Sequence, residues 1–390
     1  MASRAASCAA VLAVACALAS LALPAAGWWD VGHMVTASIA QQRVSRAVAE
    51  RARRLIDASA FAQAPVDVPS TNLVSAAHWA DNVKHIGALV ETPSGSFVDY
   101  SSNYFSTMHF WNLQIEGPDG FRCESVVKDR YNVIDALRMM ARVLADGSAP
   151  DWSRGVALRF FIHFVGDLHQ PLHVSTRCSE AHPQGDNGGN FFPLKGDRYG
   201  NLHAVWDSVG GKWPHLEDLC PFGNATACAA NEPDRVREVE SIALSLVADH
   251  PGVVRSVWEA DDTPEAWADE ARDLAVAYAY ANITENAAPS EAYMATCQRI
   301  GAEQLVKGGE RLAVLLERHL GDAAPGGGGA AWGVMRTLSL VVLGLSSVVG
   351  VLCCAVSIAV MVRRGRAARP GEEADGDVEV EYSNYHRLPE

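Results

Sequence analysis

Positive charge is scarce in this sequence. Its 390 residues hold 32 Lys and Arg against 46 Asp and Glu, a formal net charge of −14. A bare surface of that sign repels phosphate backbones, which excludes a polyanion binder working by bulk electrostatics; such a substrate would need a local cation to dock on. The chain also lacks a glycine-rich phosphate-cradling loop, a dinucleotide-binding fingerprint and any repeat at a fixed period. Period-two alternation of polar and apolar residues is rare, which excludes a large sheet. Nine cysteines in this length are too few for a small disulfide scaffold.

What is present begins with two apolar stretches near the ends. Residues 9–23 are apolar after Arg4 and lead into Pro24-Ala25-Ala26-Gly27, with small residues where signal peptidase requires them. The expectation is a signal peptide over 1–27, whose removal leaves Trp28 as the N-terminus. Residues 337–362 carry no charge, and at about 1.5 Å per residue they cross a hydrocarbon core of roughly 30 Å. Arg363, Arg364, Arg366 and Arg369 follow and place the tail in the cytoplasm. The plan is a signal peptide (1–27), an ectodomain (28–320), a Gly-rich linker (321–336), a transmembrane helix (337–362) and a cytoplasmic tail (363–390). This is a single-pass type I protein of the cell surface, attached to the membrane by its C-terminal helix. Seven basic and seven acidic residues lie outside 28–333, so that segment alone carries the same −14.

Five cysteines remain in the ectodomain: Cys123, Cys178, Cys220, Cys228 and Cys297. An oxidising compartment favours disulfides, with Cys220 and Cys228 the easiest local pair, and the odd count leaves one thiol over. Asn224-Ala225-Thr226 and Asn282-Ile283-Thr284 are glycosylation acceptors. Apolar residues recur near a 3.6-residue period over 34–56, 125–145, 155–174, 234–248, 265–281 and 291–320, and 191–202 holds at most one short hairpin. The fold class is all-α, a single mainly helical domain plus the transmembrane helix.

The chemistry is concentrated in His and Asp. His163 and Asp167 are four apart and share a helix face, a pair suited to a first-row metal. His173 follows Pro171, which breaks the helix and lets a third ligand turn in. His203 and Asp207 repeat the spacing. His33, Asp81, His109 and, after cleavage, the amine and carbonyl of Trp28 complete a set larger than one tetrahedral zinc can use. Polar groups among so many apolar neighbours must be paired with something.

These residues carry a resemblance. Trp28-Trp29-Asp30-Val31-Gly32-His33, Trp79-Ala80-Asp81, Met108-His109-Phe110, the run from His163 to Val174, Gly185-Asp186-Asn187-Gly188-Gly189-Asn190, and Asn201-Leu202-His203-Ala204-Val205-Trp206-Asp207 occur in that order. Together they resemble the class I, three-zinc single-strand nucleases of fungi and plants, in the superfamily of bacterial phospholipase C. With the span added, the whole resembles the membrane-anchored 3′-nucleotidase/nucleases of trypanosomatids.

The resemblance implies three zinc ions. Asp81, His109, His163 and Asp167 would hold one, Trp28, His33 and Asp167 its neighbour, and His173, His203 and Asp207 a third. Asp167 would bridge the first two, and Asp81 would orient the attacking water. Phe110 would stack the nucleobase, Asn112 stands where an acidic base-reading residue is usual, and Lys84 would neutralise the transition state. His169 would support a ligand from behind. The implied substrates are single-stranded nucleic acid and 3′-nucleotides, with purine salvage as the use. The alternatives are a phospholipase C-like hydrolase of lipid head groups and a non-catalytic zinc-bearing surface protein.

Overall fold

The computed structural model of the chain describes residues 28–63, 69–84, 89–99, 105–123, 131–196, 199–213, 225–260 and 262–321. The signal segment, the linker beyond Gly321, the apolar span and the tail lie outside them. The chain divides into one unit ending at Gly321 and another starting at Asp322. Among the described residues no helix is long and apolar enough to cross a membrane.

The first unit is mainly helical, as the periodicity predicts. Its helices are α1 (Asp30–Arg43), α2 (Arg46–Ala58), α3 (Trp79–Lys84), α4 (Val133–Ala145), α5 (Asp151–Leu168), α6 (Leu202–Asp207), α7 (Ala225–Asp249), α8 (Pro251–Glu259), α9 (Pro264–Leu274) and α10 (Glu291–Leu320). Several ends follow from capping. Ser45 accepts from Val48 N and so divides the expected helix 34–56 into α1 and α2. Asn132 accepts from Ile134 N and Asp135 N and so caps α4; residues 124–130, where the expected helix 125–145 begins, lie outside the described residues. Helix α5 stops at Leu168; Gln170 then caps a separate 3₁₀ turn, Pro171–Val174, by accepting from Leu172 N. Helix α10 runs 291–320 as its pattern predicts, and a π-turn, Ala275–Ala279, extends α9.

Strand content is small. β1 (Leu89–Glu91) and β2 (Phe97–Asp99) form an antiparallel pair, while β3 (Gln114–Ile115) and β4 (Thr176–Arg177) pair in parallel. Within 191–202 one antiparallel bridge joins Pro193 to Asn201. The parallel clip is extended by Trp111 N donating to His173 O at 2.8 Å and Thr176 N to Leu113 O at 2.8 Å.

Helix α5 lies against α2 and α4, and α10 lies against α1. Two hydrophobic clusters result. The larger contains Met34, Trp79, Phe161, Phe164 and Leu168, all almost wholly buried. The smaller contains Leu172, Phe192, Leu202, Val205, Trp206 and Tyr280. Burying each large apolar side chain contributes about 1.5–3 kcal/mol, enough to hold polar groups that would otherwise seek water.

A disulfide joins Cys123 to Cys178, with Cα atoms 5.2 Å apart. It ties the segment after β3 to the residue after β4. Cys297 is free and buried, while Cys220 lies outside the described residues, so the local pair expected with Cys228 does too. Of the two sequons, Asn282 and Thr284 are exposed, whereas Asn224 is outside the described residues.

Candidate metal centre

Eight of the nine predicted ligands converge. Their donor atoms form three groups, each with all atoms within 4.8 Å of one another: His33, His163 and Asp167; Asp81, His109 and His163; and His173, His203 and Asp207. All eight residues are buried. The first two groups are rooted in the larger hydrophobic cluster through α1, α3 and α5; the third is rooted in the smaller one through α6 and the turn after α5.

Asp167 stands at the centre. Its Oδ2 is 3.0 Å from His109 Nδ1 and 3.2 Å from His163 Nε2, and its Oδ1 is 3.4 Å from His33 Nε2 and 3.5 Å from His173 Nδ1. Asp81 faces the same space, 3.4 Å from both His109 and His163 and 3.9 Å from His33. His33 stacks on His163 with ring centroids 3.7 Å apart. That approach needs Gly166, one turn along α5, because a Cβ there would lie 2.6 Å from His33 Nδ1.

Three imidazoles have their orientation fixed by main-chain oxygen. His163 Nδ1 donates to Ala77 O at 2.6 Å, His173 Nδ1 to His109 O at 2.9 Å, and His203 Nδ1 to Gly188 O at 2.7 Å. Each ring, when neutral, then turns an Nε2 lone pair inward. His173 Nε2 and His203 Nε2 face each other at 3.1 Å, beside Asp207 at 3.8 and 3.3 Å. Two lone pairs at that distance repel unless positive charge lies between them. Gln170 Nε2 steadies the triad by donating to Asp207 Oδ1.

The electrostatics agree. Burial by itself would lower the His163 pKa, but Asp167 and Asp81 raise it to about 10. Burial would raise Asp167, yet His163 and His173 hold it well below the carboxylate range. Burial and the neighbouring His163 lower His33. The two carboxylates therefore demand positive charge inside a dry pocket. Among the described residues neither ring nitrogen of His33 and neither oxygen of Asp167 has a hydrogen-bond partner, an arrangement that buried polar groups rarely tolerate. Imidazole nitrogen and carboxylate oxygen in groups of three are zinc donors, so these residues fit the metal.

The other predicted residues are placed as follows. Trp28 is fully buried at the start of the described chain, and Trp29 N donates to Asp207 O at 3.0 Å, which carries this N-terminal segment to the third group. Phe110 is half-buried beside His109, with its carbonyl accepting from Val133 N; Asn112 is half-buried two residues on. Lys84 ends α3, and its side chain lies outside the described residues. His169 turns away from the metal groups: Nδ1 donates to Val165 O at 2.7 Å, and Nε2 accepts from Arg311 at 2.9 Å. Burial and Arg311 push its pKa down to about 3, and it secures α10 against α5, a different task from backing a ligand. His78 is buried, donates to Pro69 O at 3.1 Å and contacts Asn82, as a packing histidine should.

Sequence reasoning missed Gly166, Gln170 and Gly188. Gly188 sits at φ +63°, and a Cβ there would lie 2.3 Å from Leu172 O. A polar Gln directly before a Pro and a glycine pair inside a motif were the available signals.

A profile described as S1/P1 Nuclease matches residues 28–321. The chain is similar to Endonuclease 2 of Arabidopsis thaliana, 26% identical over 296 residues that cover 76% of this chain and 91% of that protein. It is 25% identical to Nuclease S1 of Aspergillus oryzae over 318 residues, 79% of this chain and 96% of the other. Against Nuclease PA3 of a Penicillium species it is 30% identical over 247 residues, 59% and 81% of the two chains.

Proposed function

The chain belongs to the S1/P1 nuclease family of zinc-dependent hydrolases, and from that premise we propose that it is an extracellular phosphoesterase of single-stranded nucleic acid and 3′-nucleotides. RNA and single-stranded DNA would yield 5′-phosphorylated products, and 3′-nucleotides would yield nucleoside and phosphate. The observation that carries the reading is the three imidazoles locked by main-chain carbonyls, with Nε2 turned toward buried carboxylates.

The three donor groups, two of which share His163, support a reading with three zinc ions. The assignment gives one ion to Asp81, His109, His163 and Asp167, a second to Trp28, His33 and Asp167, and a third to His173, His203 and Asp207. Bound zinc supplies Lewis acidity and acidifies water, so no side-chain base is required. Within that site Asp81 orients the attacking water, its carboxylate being the one of the pair with some exposure, 11% at the side chain against 0% for Asp167. Phe110 stacks a base, which requires an unstacked strand and so favours single strands. Lys84 would neutralise the developing charge, and Asn112 would read the base edge. The metals also supply the local cation that a −14 protein needs to accept a polyanion.

The uncharged span 337–362 with the arginines after it supports a membrane anchor, and the leader supports export. The test is phosphate release from 3′-AMP by the full chain in detergent, with 5′-AMP as control. Release from 3′-AMP alone, abolished by chelation and restored by zinc, is expected; a zinc-loaded protein that releases phosphate from neither sinks the reading.

A further inference from the structure

The loop carrying Gly188 does more than fix His203. Asp186 anchors it: Asp186 N donates to Arg177 O at 3.0 Å, Asp186 Oδ1 accepts from Arg177 N at 3.0 Å and from Tyr280 Oη at 2.9 Å, and Asp186 O accepts from Phe191 N at 3.0 Å. Arg177 and Phe191 are thus tied to one buried residue. The same loop reaches the third donor group, since Gly188 O accepts from His203 Nδ1 at 2.7 Å, and Phe192 O accepts from Leu202 N, the residue before His203, at 3.0 Å.

Three side chains on this frame, Phe191, His182 and Arg177, reach solvent. Phe192 is buried in the smaller hydrophobic cluster, whereas Phe191 beside it is 40% exposed. Its ring stacks on His182 with centroids 5.7 Å apart and planes 29° apart, a pair held out to solvent. Arg177 is partly exposed, its guanidinium lying 4.9 Å from the Phe192 ring centroid and 4.5 Å from that of Tyr280. Among the described residues no carboxylate forms a salt bridge with it, and its charge acts at longer range on the buried Asp186 carboxylate. A partly exposed guanidinium on the same frame as a solvent-reaching ring pair matches a nucleotide: an aromatic face for the base and a planar donor fork for the phosphate.

The geometry points to an outer subsite, in which Phe191 and His182 stack a base and Arg177 holds a phosphate of the nucleotide next to the one being cleaved. This rests on the nuclease reading above and deepens it, because such a subsite serves a strand and is idle with a mononucleotide.

Two measurements on the zinc-loaded full chain test it: hydrolysis of 3′-AMP, and binding of a non-cleavable phosphorothioate oligothymidylate followed by fluorescence anisotropy over a range of salt. Phe191→Ala is expected to weaken oligonucleotide binding about tenfold, the usual loss for one stacked base, with Phe191→Tyr restoring it. Arg177→Gln is expected to flatten the plot of log affinity against log salt by about 0.7, the contribution of one phosphate contact on a single strand. Both variants should hydrolyse 3′-AMP as the parent does. Unchanged oligonucleotide binding, or equal losses on strand and mononucleotide, would overturn the subsite. A parent chain that hydrolyses 3′-AMP but binds no oligonucleotide also overturns it and leaves the esterase reading standing; a parent inactive on 3′-AMP removes that reading and the subsite with it.

Discussion

Helix α5 holds two kinds of buried polar residue at the same four-residue spacing. Arg159 is fully buried and uses all three guanidinium nitrogens within the chain: Nε donates to Ser59 Oγ at 3.0 Å, Nη1 to Ser70 O at 2.9 Å and Oγ at 2.7 Å, and Nη2 to Ile56 O at 3.4 Å. One and two turns later, His163 and Asp167 are equally buried, yet around them the chain assembles lone pairs and negative charge. At Arg159 the residue brings the charge and the fold brings the oxygens. At Asp167 the fold brings oxygens and imidazoles, and the charge must come from outside. Burial alone does not distinguish a structural polar residue from a ligand; the sign of what is missing does.

The comparison breaks most sharply on Asp167→Ala. Activity should fall by about 10³-fold or more, equivalent to roughly 4 kcal/mol in the barrier, with loss of bound zinc by elemental analysis. Full activity and full zinc would refute the central assignment. Arg159→Met should do the reverse, lowering stability by about 3 kcal/mol through the oxygens left unpaired. Specific activity of its folded fraction should stay near the parent's, as denaturant unfolding and assay on one preparation would reveal.

A subtler strike is Gly188→Ala. It disturbs the carbonyl that orients His203, and should weaken the third zinc by roughly 10–100-fold in chelator competition while the first two stay bound. The smallest effect concerns protons. His163 of the metal-free protein, raised to about 10 from an ordinary 6.5, contributes stability that is complete below pH 6.5 and is lost as pH rises toward 10. Zinc takes the place of that proton, so titrating metal into apoprotein near pH 8 should release about one proton at this residue, read from the buffer dependence of the calorimetric heat. A buffer-independent heat would refute it.

How much of this was legible in the sequence depends on where each partner comes from. The all-α class and the helix over 291–320 were readable because periodicity is local. The i, i+4 pairs His163–Asp167 and His203–Asp207 announced themselves for the same reason. The break at Ser45 was missed because α1 and α2 continue one apolar pattern, and only a cap divides them. The carbonyls of Ala77, His109 and Gly188 were invisible because any residue can offer a carbonyl; tertiary contact alone selects which one a histidine meets. The β3–β4 clip is two residues long on each side, too short to leave a pattern.

The wide spread of the ligands along the chain sets a timetable. The donors begin at His33 in α1 and end at Asp207 in α6, so none of the three groups is whole in any short stretch of newly made polypeptide. The donors of the first two groups are all present once Asp167 has been made, whereas the third group waits for Asp207. Helix α6 closes the last group, and the hydrogen bond from Trp29 N to Asp207 O joins the first residues to the last ligand. Completion of the third group therefore coincides in the fold with the return of the Trp29 segment to Asp207, so occupancy of that group would report a long-range contact already made.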